Sequence, residues 1–242
     1  IYSIISDGYG GLWVASLEYL LHFDIDKRNF TIVDVDGDGH KLQQYNRLLF
    51  CDSKKRIWAG GEMGISVFNQ VGTSLLPNTD FQIASVLKQA FVNCFYETSS
   101  GYLWIGTRNG LFALKESDKQ FLQYTTENGL PSNVIYGILE DAYGRLWIST
   151  NQGLSCLNSE SGKFRNFTIM DGLQGNQFNA GAYCRKDNGY MLFGGVNGIT
   201  SFRPETLIDN PYAPKPVINK LFVHNKEVLP DDETGILKES IT

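Results

Sequence analysis

The chain has 242 residues, of which 42% are hydrophobic and 13% aromatic, with 25 glycines and a formal charge of −5. That composition supplies a buried core and excludes a disordered chain, and with no cluster of lysine or arginine it argues against a nucleic-acid or anionic-membrane surface. No apolar run approaches the ~18 residues that a bilayer-spanning helix needs, and the chain opens at Ile1 inside a strand pattern, so a piece of something longer is expected.

The first segment, Ile1 to Ser6, is β-branched with period two, which predicts a half-buried strand. Asp7 and Gly10 then take the first and fourth places of a tight turn, where Asp bonds its own backbone and Gly relieves the exit. The turn leads into Gly11 to Ala15, so the two strands form a hairpin. A third strand follows around Leu20 to Phe23 and a fourth at Asn29 to Val33.

The same sentence then recurs. Trp13, Trp58, Trp104 and Trp147 stand 45, 46 and 43 residues apart, and Leu192 holds the equivalent place 45 residues after Trp147. Seven residues after each lies an apolar residue (Leu20, Ile65, Leu111, Leu154, Ile199). The residue before that one is glycine in four copies (Gly64, Gly110, Gly153, Gly198) and Tyr19 in the first. Lys55 stands where the hairpin glycine is expected, and Thr98 and Lys186 replace the turn Asp. Residues 84–90 are compatible with a short helical turn inside a loop.

Four short antiparallel strands per ~45 residues is the mark of a propeller blade. The predicted fold is therefore all-β: a β-propeller fragment of five four-stranded blades, at about 1–40, 41–85, 86–128, 129–172 and 173–203, the last incomplete. A proline-rich linker over 204–216 follows, and then the first strands of a β-sandwich domain, truncated, over 217–242. Each Trp is expected to pack one blade on the next, with a small residue two positions on (Ala15, Gly60, Gly106, Ser149, Gly194) making room. Cys51, Cys94, Cys156 and Cys184 lie in four different repeats with no CxxC spacing, and free buried thiols are expected.

The frame Asp141 to Leu154, its partner Gly101 to Leu111 and the lead-in Asn128 to Val134 closely resemble the two-component regulator propeller repeat. Phe178 to Ala182, Phe193 to Ile199 and Phe202 to Pro204 resemble that family's last blade, and the segment from Val217 resembles the immunoglobulin-like triple-tyrosine domain that follows it. The resemblance implies rings of seven blades and an extracytoplasmic, periplasmic sensor region of a membrane-spanning hybrid histidine kinase. It also implies a homodimer in the parent protein, a membrane link only through the rest of that parent, and an oligosaccharide ligand.

In a propeller, the loops between second and third strands and those between blades open on one face around the axis and make a concave site. The candidate ligand residues in the first class are Glu62, Arg108, Asn109, Asn151, Gln152 and Asn197; the second adds Tyr45, Asn133, Phe178 and Asn179. Amides, a guanidinium and aromatic rings suit sugar hydroxyls and apolar sugar faces, and Arg108 suits a uronate or sulfate. Asn beside Gly is first of all a turn former, so each position also has a purely structural reading. The run Asp34, Asp36, Asp38 imitates the start of a calcium loop, but Tyr45 takes the place of the bidentate Glu, which favours a solvated acidic loop over a metal.

His22, His40 and His224 are far apart and pair with no nucleophile or metal-ligand spacing. With no GxSxG, HExxH or phosphate-cradling loop, neither an enzyme nor a cofactor is expected. The alternatives are a sialidase-like carbohydrate-active propeller and a protein-binding scaffold. Glu62 and Asp171 are carboxylates that a glycosidase reading would recruit, though nothing singles them out.

Overall fold

A computed structural model describes residues 1–16, 19–33, 46–78, 86–87, 89–115, 120–207 and 220–228. Tyr45, the acidic run 34–40, residues 84, 85 and 88 of the 84–90 segment and most of the proline-rich stretch lie outside the described residues.

The chain divides into two compact units, Ile1–Pro204 and Glu205–Thr242. The first is a series of antiparallel sheets in chain order. Blade one holds β1 (Ser3–Ser6), β2 (Gly11–Ala15), β3 (Leu20–Asp24) and β4 (Asn29–Ile32). Blade two holds β5 (Asn46–Cys51), β6 (Arg56–Gly61), β7 (Gly64–Val71) and β8 (Ser74–Pro77). Blade three holds β9 (Val92–Glu97), β10 (Leu103–Thr107), β11 (Gly110–Lys115) and β12 (Gln120–Tyr124). Blade four holds β13 (Ile135–Glu140), β14 (Leu146–Thr150), β15 (Gly153–Asn158) and β16 (Lys163–Phe167). Among the described residues blade five has three strands, β17 (Phe178–Arg185), β18 (Met191–Gly195) and β19 (Gly198–Phe202).

The first strands of successive blades, β1, β5, β9, β13 and β17, neighbour one another in that order, and β9 also touches β17. A linear stack would not bring the third and fifth first strands together. The sheets therefore fan around an axis, as a propeller does. Gly137 on β13 makes the closest of these approaches possible, because a Cβ there would overlap the Tyr183 ring from blade five. Tyr183 passes over that gap into the core that holds Cys94 and Trp104 of blade three.

The second unit contains a hairpin of β20 (Leu221–Val223) and β21 (Lys226–Val228). Its turn residues are His224 and Asn225, at φ of 50° and 61°. Two consecutive left-handed residues are what a two-residue hairpin turn with the strand twist requires, so these residues close the turn and do not begin the second strand.

All four tryptophans are buried, at 2% exposure or less. Trp13 sits among Leu49, Ile57, Ala59, Phe68 and Leu75 of blade two, and Trp58 among Val92, Phe95, Ile105 and Phe112 of blade three. Trp104 packs on Leu130, Ile135, Ile138 and Ile148 of blade four, and Trp147 on Phe178, Met191 and Phe193 of blade five. Each ring is thus the seam between its own blade and the next.

A buried indole N–H needs an acceptor, and the hairpin Asp supplies it. In blade four, Asp141 Oδ1 accepts the N–H groups of Tyr143 and Arg145, both at 2.9 Å. Its Oδ2 accepts Arg145 Nε at 2.7 Å and Trp147 Nε1 at 3.0 Å. Asp52 repeats the set in blade two, taking Arg56 Nε at 2.6 Å and Trp58 Nε1 at 2.8 Å.

Blades one and three depart from this pattern. Where Thr98 replaces the Asp, Trp104 Nε1 is buried with no partner. In blade one, Gly11 occupies the place of the arginine and Asp7 Oδ2 turns to His22, so Trp13 Nε1 reaches Gln70 of blade two at 3.3 Å. Two of the four cysteines differ from the sequence reading: Cys94 and Cys156 are buried, but Cys184 is exposed and Cys51 only partly covered. All four are free.

Trp147→Ala is expected to lower unfolding free energy by about 3–5 kcal/mol, read from chemical denaturation; an unchanged midpoint would refute the seam role. Lys55 sits at φ 63° where Gly10, Gly101, Gly144 and Gly189 occupy the same turn position at positive φ. Lys55→Gly removes a left-handed penalty of about 1–2 kcal/mol and loses part of it to greater freedom in the unfolded chain. A net gain of about 0.5–1 kcal/mol is expected, and a loss of stability would contradict it.

Candidate functional site

The hairpin turns that carry Asp7, Asp52, Thr98 and Asp141 lie at one rim of the arc. The opposite rim gathers the turns between second and third strands together with the segments that lead into each first strand. These two loop classes are tied to each other by backbone bonds: Arg108 N–H donates to Phe91 O at 3.0 Å, Gly110 N–H to Asn133 O at 2.8 Å and Gly153 N–H to Asn176 O at 2.6 Å. Val196 N–H donates to Gln177 O at 3.3 Å in the same way.

The second-strand threonines shape these turns. Thr107 Oγ1 donates to Gly110 O at 2.8 Å and accepts Asn109 N–H at 2.9 Å. Thr150 does the same with Gly153 O at 2.8 Å and Gln152 N–H at 3.0 Å. The glycines are required, since Gly110 has φ 120° and a Cβ there would meet Tyr124 O at 2.6 Å. The result presents the two residues between Thr and Gly outward.

Arg108 and Asn109 are both exposed on this rim. The Arg108 guanidinium lies 3.7 Å from the centre of the Phe91 ring, while the Asn109 carbonyl accepts Gln123 Nε2 at 3.1 Å. Gln152 is exposed and Asn151 partly buried, its Oδ1 covered without a donor. Glu62 pairs with Arg47, Oε1 to Nη2 at 3.3 Å. Asn197 is held through its backbone N–H to Gln174 Oε1 at 2.8 Å. Asn179 is exposed at the start of β17.

Other sequence candidates turn out to be structural. Phe178 is 1% exposed and belongs to the seam core under Trp147, because a strand start that faces the neighbouring blade is buried by it. Asn133 Oδ1 accepts Thr126 N–H at 2.8 Å, and Asn176 repeats this with Ile169 N–H at 2.8 Å, each fastening a 3-10 turn capped by Thr125 or Thr168. Asp171, the carboxylate open to a glycosidase role, accepts Thr168 N–H at 2.8 Å as part of that cap.

Arg47 was missed by sequence reading. It is the second residue of β5, set at a register shift between Asn46 and Leu48, and its guanidinium lies 4.8 Å from the Tyr2 ring. A β-bulge that re-aims one side chain leaves no trace in the sequence. Among the described residues no group of three His, Cys, Asp or Glu is placed to hold a metal.

The hairpin rim carries a different set of seams. Glu97 of blade three accepts Ser53 N–H and Oγ–H of blade two, both at 2.7 Å. Glu140 of blade four accepts Ser99 N–H at 3.1 Å and Oγ–H at 3.0 Å. Between blades one and two the same positions are Gly8 and Cys51, which cannot make the clamp. A cavity of about 550 Å³ opens there, bordered by Asp7, Gly8, Cys51, Lys55 and Glu97. Burial pushes the Cys51 thiol up, and that of Cys94 to about 12, so neither is a ready thiolate at neutral pH.

His22 and Asp7 form a buried pair, Nε2 to Oδ2 at 2.7 Å. The sequence hides this partnership, since the residues are linked only by the pairing of β2 with its neighbours. Burial pushes the Asp7 carboxyl up, but the hydrogen bond from His22, the N–H groups of Tyr9 and Gly11 and the nearby His22 charge outweigh it, and its pKa falls below the ordinary 3.8.

Two stretches, residues 87–109 and 129–152, match the family model described as two component regulator propeller. Those two stretches are similar to two component regulator propeller repeats. A curated relative, Histidine kinase P4 of Formosa agariphila, is 28% identical over 229 residues, covering 91% of this chain and 16% of the relative. The extracellular domain of the proposed hybrid two component system BT3049 of B. thetaiotaomicron superposes with a TM-score of 0.77 at 23% identity, covering 95% of this chain and 32% of that one. A streptogramin B lyase structure superposes with a TM-score of 0.53 at 16% identity, over 87% of this chain and 69% of that one. This chain thus spans less than a third of the length of the first two, and the structural likenesses bear on fold alone. No helix among the described residues is long and apolar enough to cross a membrane.

Because Asp7 titrates below its unfolded value, the stability it contributes is present above the ordinary carboxylate range and is lost as pH falls through the folded value. Asp7→Asn is expected to cost about 1–3 kcal/mol at pH 6 and much less near pH 2, measured by chemical denaturation. Equal costs at both pH values would show that the carboxylate charge is irrelevant.

Proposed function

We propose that this chain is part of the extracytoplasmic, ligand-sensing region of a hybrid two-component sensor histidine kinase and binds an oligosaccharide released from a polysaccharide. The observation that carries the reading is the loop rim. The turns between second and third strands of consecutive blades carry Glu62, Arg108, Asn109, Asn151, Gln152 and Asn197, and Arg108, Asn109, Asn151 and Gln152 fall in the stretches that match the two component regulator propeller model. Amide and guanidinium donors beside the Phe91 and Tyr2 rings suit a ligand with hydroxyl edges and apolar faces.

The segment works by binding and not by turnover. Of the two carboxylates a glycosidase would recruit, Asp171 is held in its cap by the Thr168 N–H. The periplasm is the compartment that such a receptor occupies, with the membrane reached through other parts of the parent protein. In a homodimeric parent, ligand that prefers one placement of the propellers would shift the population of that placement and pass the change to the kinase.

Calorimetry and product analysis of the parent ectodomain with an oligosaccharide panel test this. Binding without product supports the receptor, product formation supports a propeller enzyme, and neither supports a protein-binding scaffold. Arg108→Ala is expected to weaken binding about tenfold, or about 1.4 kcal/mol; an unaltered affinity would remove Arg108 from the site.

A further inference from the structure

Two guanidinium groups stand on the loop rim of adjacent blades, Arg47 at the start of β5 and Arg108 in the turn between β10 and β11. The first strand of blade three, β9, packs against both β5 and β6, so the two residues belong to directly neighbouring blades. Each guanidinium is laid over an aromatic ring, Tyr2 at 4.8 Å and Phe91 at 3.7 Å, and each ring comes from a chain segment entering a first strand. Stacking covers one face of the guanidinium and leaves its N–H edges directed sideways, already ordered for an acceptor.

The acceptors these edges have are few. Arg47 Nε is buried with no hydrogen-bond partner. Its only ion pair among the described residues is a single 3.3 Å contact to Glu62, with both side chains more than a third exposed. Such a pair is weak. Arg108 has no carboxylate within ion-pair distance among the described residues, and its side chain is exposed. The paired terminal Nη groups of an exposed guanidinium match the two-oxygen edge of a carboxylate or sulfate, which makes two parallel charge-assisted bonds.

We infer that Arg47 and Arg108 form an anion subsite that takes a carboxylate or sulfate group on the ligand, with the Glu62 carboxylate occupying Arg47 until the ligand anion displaces it. This rests on the oligosaccharide reading for the identity of the molecule that carries the anion, but the subsite itself is a property of the two arginines. Glu62 then acts as an internal competitor. A neutral sugar leaves Glu62 in place and gains nothing from Arg47, whereas a uronate or sulfated sugar replaces a 3.3 Å single contact with a bidentate one. The rim selects by charge.

The test begins with inorganic sulfate, titrated into the intact protein at an ionic strength held constant with chloride. The readout is the ¹⁵N–¹H signals of the arginine Nε groups. Saturable shifts at Arg47 and Arg108 are expected, with affinity about tenfold lower in Arg108→Ala and a few-fold higher in Glu62→Gln. The gain in Glu62→Gln is the telling sign, since a merely structural salt bridge would not raise anion affinity when broken. Absent shifts, the same shifts with chloride alone, or no gain in Glu62→Gln would overturn the subsite.

The second arm compares an oligogalacturonate with its carboxyl-reduced neutral counterpart by calorimetry. At least tenfold preference for the charged form supports the inference. Equal binding of the two overturns charge selection and leaves the oligosaccharide reading standing. Sulfate binding with no oligosaccharide bound from a panel of uronate-containing and sulfated sugars supports the subsite and overturns the sugar reading.

Discussion

The constraint on which the molecule depends is that a large indole ring must be buried at each seam without abandoning its N–H. A ring that packs between sheets has to leave one edge near its own hairpin, and there the turn Asp meets it. One carboxylate thus does three jobs in blades two and four: it closes the hairpin through backbone N–H groups, fixes the arginine at the start of the second strand, and accepts the indole. The turn and the seam are a single polar unit set in an apolar wall. Such units are costly when partly satisfied, which is why the exceptions are informative.

The exceptions show how the seam tolerates change. In blade one the carboxylate is drawn to His22 and a glutamine from the next blade takes over the indole at a longer distance. In blade three nothing takes over, and Trp104 remains without an acceptor. The ring stays buried in both cases. Apolar packing therefore sets the position of the indole, and the hydrogen bond refines it. The serine to glutamate clamps at the hairpin rim behave likewise, present at two seams and replaced by an open cavity where Gly8 and Cys51 meet.

Much of the fold was legible in the sequence because the repeat wrote the same physics several times. The Trp spacing, the Asp and Gly of most hairpins and the glycine before four of the third strands set the sheets and their order. The site was less legible. Arg108 and the amide-bearing turns could be placed on the rim by counting from Thr107 and Thr150, but Phe178 was misread as a loop residue when it is seam core. Arg47 escaped because its orientation depends on a bulge in pairing, and the His22 to Asp7 pair because it joins one strand to a turn across the sheet. Local periodicity reports which face a residue takes; it does not report which partner waits there.

The gap at Gly137, through which Tyr183 reaches the wall around Cys94, has a bearing on cooperativity. In an array where every module touches only its immediate neighbours, unfolding can be written as a sum of module and junction terms. Here a side chain from the fifth module is part of the third module's core, so the middle of the arc cannot melt one sheet at a time. Blades three to five share one core and are expected to melt together.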